Sequence, residues 1–87
     1  MRAATKMARP QWATRIEKLR AALRMSQTEL AEKLGVSAMA VSRWERGINE
    51  PSAAGYIQLG KLAGVGNSEC WFFWARAGLN KSDLRGL

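Results

Sequence analysis

Apolar residues recur at helical spacing in five separate stretches of the chain, and no strand pattern is evident. From Trp12 the run W-A-T-R-I-E-K-L-R-A-A-L-R places Trp12, Ile16, Leu19 and Leu23 on one face, at steps of four, three and four. This predicts a core-facing helix with Arg15, Lys18 and Arg24 on its opposite side. Pro10 marks its start, since proline is tolerated in a first turn, and Met25 follows as an apolar plug. A second helix opens at Ser26, whose hydroxyl can accept from an unpaired first-turn amide while Glu29, three residues on, completes a capping box. Leu30, Ala31 and Leu34 form its apolar stripe, and Gly35 can end it with positive φ. Ser37 caps a third helix, Val41 and Trp44 face its core side, and Gly47 ends it.

Pro51-Ser52 opens a fourth helix with Ser52 as its cap, and Ala53, Tyr56, Ile57 and Leu59 through Ala63 supply its apolar face. Gly55 and Gly60 inside it each cost about 1 kcal/mol against alanine, so packing must hold this helix together. Gly64-Val65-Gly66-Asn67 reads as a loop with Val65 plugging the core. Ser68 is expected to cap a fifth helix, E-C-W-F-F-W-A-R-A, which Gly78 ends. The second and third helices are joined by so short a turn that they must cross steeply, as in a helix-turn-helix. The expected fold is all-α, a compact five-helix bundle. Residues 1–11 are expected to be a flexible basic arm and 12–80 the domain. Residues 81–87 read as a C-terminal tail, either a natural end or the cut edge of a longer protein.

Size and charge sharpen this picture. Eighty-seven residues allow one small domain that buries about two thirds of its unfolded surface. No apolar run approaches the ~18 residues of a membrane span, and no apolar block follows Arg2, Lys6 and Arg9 as a secretory signal would require. A single cysteine, Cys70, makes no internal disulfide and fits a reducing cytoplasm. The net charge is +7, and residues 1–24 carry seven basic groups against Glu17 alone. Such a stretch attracts a polyanion such as DNA, RNA or an acidic membrane surface; a merely solubilising N-terminus is the plainer alternative.

Enzyme chemistry finds no residues to carry it. The sequence has no histidine, one cysteine without a base partner, no cluster to hold a metal and no glycine-rich phosphate loop after a strand. No catalytic residue, cofactor or metal is expected. With Val41 and Trp44 inward, Ser37, Ala38, Met39, Ser42, Arg43 and Arg46 remain to face outward.

Residues Ser26-Gln27-Thr28-Glu29-Leu30-Ala31, Leu34-Gly35-Val36-Ser37 and Val41-Ser42-Arg43-Trp44-Glu45-Arg46-Gly47 resemble the helix-turn-helix of the XRE family, which includes the lambdoid phage repressors and Cro. The similarity runs from about Ile16 to about Val65. It implies a double-stranded DNA-binding regulator whose third helix enters the major groove, probing a distinct donor and acceptor pattern at each base pair. By resemblance, Ala38, Met39 and Arg43 touch base edges, while Gln27 and Arg46 touch phosphates or flanking bases, with Thr28 beside them. Ala38 and Met39 can offer only apolar contact, for example to a thymine methyl, so hydrogen-bonded readout rests mainly on Arg43. A phosphate contact is the other reading of Arg43. Glu50 stands where a basic residue would favour phosphate, which leaves Asn49 or the backbone near Ser52 as the candidates there.

The resemblance also pairs Arg20 with Glu45, fixing the angle of the third helix; two solvated side chains are the alternative. Related sequences usually have glycine where Arg24 stands. Arginine costs about 1–2 kcal/mol in a left-handed turn, so a departure from the family's turn is expected. Finally, Trp71-Phe72-Phe73-Trp74 sweep about 300° of a helix, too much for one core. They are expected to pack on the domain with one side and to form a homodimer contact with the other. An antitoxin or adaptor with a protein partner is the alternative function, and a membrane partner is not expected.

Overall fold

In the computed structural model the described residues are 9–64 and 66–79. The expected arm up to residue 8, the loop residue Val65 and the tail at 81–87 lie outside them. Five helices follow one another: α1 Gln11–Ala22, α2 Gln27–Leu34, α3 Ala38–Glu45, α4 Ala53–Ala63 and α5 Ser68–Arg76. No strand occurs among the described residues.

Each helix after the first begins with a side-chain cap. Ser26 Oγ accepts from the Glu29 amide at 3.0 Å while Glu29 accepts from the Ser26 amide at 2.7 Å, a complete capping box. Ser37 accepts from the Ala40 amide and Ser52 from that of Gly55. The cap of α5 is Asn67 rather than the expected Ser68: Asn67 Oδ1 takes the Glu69 amide at 2.8 Å, and Ser68 becomes the first helical residue. Asparagine and serine serve this role about equally well, so composition alone could not separate neighbours.

Helices α1, α2, α3 and α5 all end in the same paired turn, in which one left-handed residue lets two successive amides reach back to the last carbonyls. For α1 these bonds run from Arg24 to Ala21 at 3.0 Å and from Met25 to Arg20 at 3.1 Å. The left-handed residue is glycine in three cases and Arg24, at φ 57°, in the fourth. The expected departure at Arg24 is therefore corrected. The turn keeps its left-handed shape, and arginine adopts it because the bonds to Ala21 and Arg20 offset the strain. At Gly47, φ 77°, a second reason for glycine appears: an added Cβ would sit 2.7 Å from Pro10 Cδ.

The core gathers Ile16, Leu19, Leu30, Ala31, Val41, Trp44, Tyr56, Leu59 and Phe73. Leu23, expected in it, is 37 % exposed, because α1 stops at Ala22 and the chain swings away. Ala13 is buried in its stead, one residue beyond half-buried Trp12. Ala53, assigned to the apolar face of α4, is exposed. Arg15 does not point away from the core. Its guanidinium meets Glu69 at 2.9 Å and lies 4.4 Å from the centre of the Phe72 ring, joining α1 to α5.

The most extensive helix contact is between α4 and α5. Trp74 there donates from Nε1 to the Ile57 carbonyl at 2.8 Å, and its indole occupies the space a Gly60 side chain would need, with an added Cβ 2.3 Å from Nε1. This explains why α4 keeps a glycine that weakens it locally. Phe73 stacks on Tyr56 at 6.2 Å between ring centres. Phe73 and Trp74, 0 % and 2 % exposed, are thus interior residues of the monomer. They form the side of α5 that packs on its own domain, which leaves Trp71 and Phe72 on the other side of the four-residue aromatic run.

Two substitutions test these assignments by chemical denaturation. Gly60→Ala is expected to lower stability by about 1–3 kcal/mol, the cost of overpacking against a rigid buried ring. Arg24→Gly is expected to raise it by about 0.5–1 kcal/mol, strain relief exceeding the entropy that glycine adds to the unfolded chain. A neutral Gly60→Ala would mean that Trp74 is loosely held.

Candidate nucleic-acid interface

Helix α3 divides its circumference three ways. Val41 and Trp44 pack into the core. Glu45, 3 % exposed, is the one buried charged residue among those described. Ser37, Ala38, Met39, Arg43 and Arg46 are exposed, Met39 by 54 %, and Ser42 is half-buried. Arg46 lies back along its own helix, donating from Nε to the Ser42 carbonyl at 3.3 Å and to its hydroxyl at 3.2 Å. Thr28 and Asn49 are exposed as well, at the start of α2 and in the loop after α3. That loop is hung from α3 itself, with the amides of Ile48 and Asn49 both donating to the Arg43 carbonyl, at 2.9 and 3.5 Å.

A carboxylate this deeply buried needs partners for its lone pairs, and Glu45 has them on both oxygens. Arg20 donates from Nε to Oε2 at 2.6 Å and from Nη2 to Oε1 at 2.9 Å. The same guanidinium donates from Nη1 to the Met25 carbonyl at 2.9 Å, so one side chain ties α1, the turn after it and α3. The bonds to Glu45 raise the Arg20 pKa above its ordinary value, against the opposing effect of burial. Gln27 adds its amide, Nε2 to Oε1 at 3.0 Å. Arg9 donates to the Glu45 backbone carbonyl at 2.8 Å and meets Glu17 at 2.7 Å.

This geometry redraws the charge map expected of the N-terminal stretch. Arg9, Arg15 and Arg20 face Glu17, Glu69 and Glu45, so three of its seven cations are matched inside the molecule. Lys18, Arg24, Lys33, Arg43, Arg46 and Lys61 form no ion pair among the described residues. Two of them stand on the outward side of α3.

Sequence reasoning missed one cluster altogether. Glu50, in the loop after α3, accepts from the Tyr56 hydroxyl at 2.7 Å and from Arg76 of α5, Nε at 3.0 Å with Nη2 on the same oxygen. The Tyr56 hydroxyl, then Arg76, hold its pKa below the ordinary carboxylate value. Burial and the Glu50 bond push the Tyr56 phenol up. A tyrosine among apolar neighbours was the available signal, because a buried phenol needs a partner. The partners lie six and twenty-six residues from Glu50, which no local spacing reveals.

Among the described residues no group of side chains could hold a metal ion, and no helix is long and apolar enough to cross a membrane. The arrangement is a small platform that presents one short helix, with Ser37, Ala38, Met39 and Arg43 exposed on its outer side and its orientation fixed from beneath. Residues 16–54 match the family model described as helix-turn-helix. No curated protein and no solved structure matches the chain significantly.

Glu45→Ala is expected to lower stability by about 3 kcal/mol, since it strands the half-buried Arg20 guanidinium. Gln27→Ala removes one donor of several and should cost no more than about 1 kcal/mol. Urea denaturation of both variants gives the comparison; equal losses would show that Arg20 is not what holds the carboxylate.

Proposed function

We infer the function of this chain from one premise: its residues 16–54 are a helix-turn-helix DNA-binding domain of the XRE type. The chain is then a sequence-specific regulator of transcription, a repressor acting by occupancy, that reads the major groove of duplex DNA with residues 37–46. What supports this reading best is the exposure of Ala38, Met39, Arg43 and Arg46 on one helix whose only acidic residue is buried and paired beneath them. An α-helix fits the major groove, and a cationic outer face there meets phosphate and base edges together.

Roles follow from chemistry. Arg43 reads guanine through O6 and N7, the commonest specific contact, and Met39 and Ala38 lie against thymine methyls. Gln27 uses one amide hydrogen on Glu45, which aims the other at a phosphate. Thr28 beside it, Arg46 and Asn49 hold the backbone, with Ser37 and Ser42 in lesser roles. In this proposal two copies bind a two-fold site, placing their α3 helices about one DNA turn apart. The contact between them uses the outer side of α5 at Trp71 and Phe72, both half-buried in the single chain.

A duplex selected from a random pool supplies the substrate for testing. Arg43→Ala is expected to cost about 1–3 kcal/mol and to relax preference at one position of each half-site. A loss equal on all sequences, with a shallower salt slope, would make Arg43 a phosphate contact, and an unchanged affinity would remove it from the interface. Sedimentation of the protein on that duplex should give two copies per site; one copy on a site without two-fold symmetry sinks the dimer.

A further inference from the structure

The loop that follows α3 carries a residue of the wrong charge for its place. Asn49 is exposed and directly precedes Glu50, and the loop is bonded to the Arg43 carbonyl of the helix proposed to enter the groove. A free carboxylate here would lie close to the phosphates, inside the ~8 Å over which charges act at physiological salt. Glu50 is not free. Arg76 lays its guanidinium on Oε2, and the Tyr56 hydroxyl occupies the same oxygen.

The pair is exposed, with 42 % of the Arg76 and 40 % of the Glu50 side chain open to solvent. The Tyr56 bond answers the need of a buried phenol for a partner, but exposed ion pairs contribute little to folding stability, so stability gives no reason for Arg76 on the same carboxylate. Charge placement does. The anchors draw Glu50 toward α4 and α5 and cancel its charge at the edge of the outward face of α3.

We propose that Arg76 is a positioning residue for nucleic-acid binding: it withdraws and neutralises Glu50, so that the loop after α3 can lie against the DNA backbone. The inference rests on the DNA-binding reading above. Arg76 itself touches no phosphate in this account; it acts through Glu50. The sites are twenty-six residues apart in sequence, so α5 thereby sets the electrostatics of a loop it does not adjoin along the chain.

Affinity for the selected duplex, measured from low to high salt on the full chain, tests the proposal with Arg76→Gln, Glu50→Gln and the double variant. Arg76→Gln is expected to weaken binding about 3–10-fold at low salt, equally on all sequences, with the deficit closing as salt screens the freed carboxylate. Adding Glu50→Gln should restore affinity to within about twofold of the unaltered protein, because no carboxylate remains to misplace. Tyr56→Phe keeps its ring in the core and removes the second anchor, so it should show a smaller deficit of the same salt dependence; it serves also if Arg76→Gln does not fold. The absence of a deficit in both Arg76→Gln and Tyr56→Phe overturns the proposal, and so does a double variant as weak as Arg76→Gln. An unaltered protein with no affinity for any duplex ends the DNA-binding reading, and this inference with it. Salt-steep binding by the unaltered protein with no Arg76 deficit ends this inference alone.

Discussion

A carboxylate withdrawn from water at the end of α3 is the constraint around which the other elements are arranged. Left alone, Glu45 would prevent the domain from closing, since an isolated buried charge costs far more than the few kcal/mol by which small domains are stable. Its position is workable only if a cation arrives with matching geometry. Arg20 supplies a planar fork on both oxygens, Gln27 adds an amide, and Arg9 caps the backbone of the same residue. Those donors come from α1, from the start of α2 and from the segment before α1. Three pieces of chain are therefore referenced to a single group on the helix that faces outward.

The value of such an arrangement is angular rather than energetic. Apolar residues such as Val41 and Trp44 would hold α3 against the core across a range of small rotations, because dispersion and burial have little directionality. A bidentate arginine pair fixes direction as well as distance. A buried pair is weak evidence for net stability, and a role in specifying one geometry is the better account of it. For a helix proposed to present Arg43 to one base edge rather than to the neighbouring one, a few degrees of roll would decide the contact.

The local elements were legible from the sequence because their signals are local. Ser26 with Glu29, Ser37, Ser52 and the turns at Gly35 and Gly47 are each decided within four residues, and the helices built on them are the observed ones. What could not be read were contacts that close over longer distances. Arg15 looked like a solvated residue opposite an apolar stripe, yet Glu69 and Phe72 lie fifty-four and fifty-seven positions away and draw it in. Phe73 and Trp74 were indistinguishable from their neighbours until the glycine gap at Gly60 and the Ile57 carbonyl showed where an indole fits. Arg24 misled in the other direction: intrinsic preference argued against a left-handed arginine, and the bonds of the paired turn prevailed.

Charge bookkeeping over the whole domain follows the same logic as Glu45. Of the acidic residues described, Glu17, Glu45, Glu50 and Glu69 each face an arginine, and Glu29 is held in the capping box of α2. Glu32 alone among them has neither kind of partner in those bonds. Negative charge is thus used almost entirely for internal fastening, where it orients helices and caps. The cations outnumber these acids, and the surplus is left outward, with Arg43 and Arg46 on α3. Net charge alone would predict attraction to any polyanion. Pairing these carboxylates with arginines leaves Lys18, Arg24, Lys33, Arg43, Arg46 and Lys61 as the unpaired cations among the described residues, and Arg43 and Arg46 stand on the helix whose direction Glu45 sets.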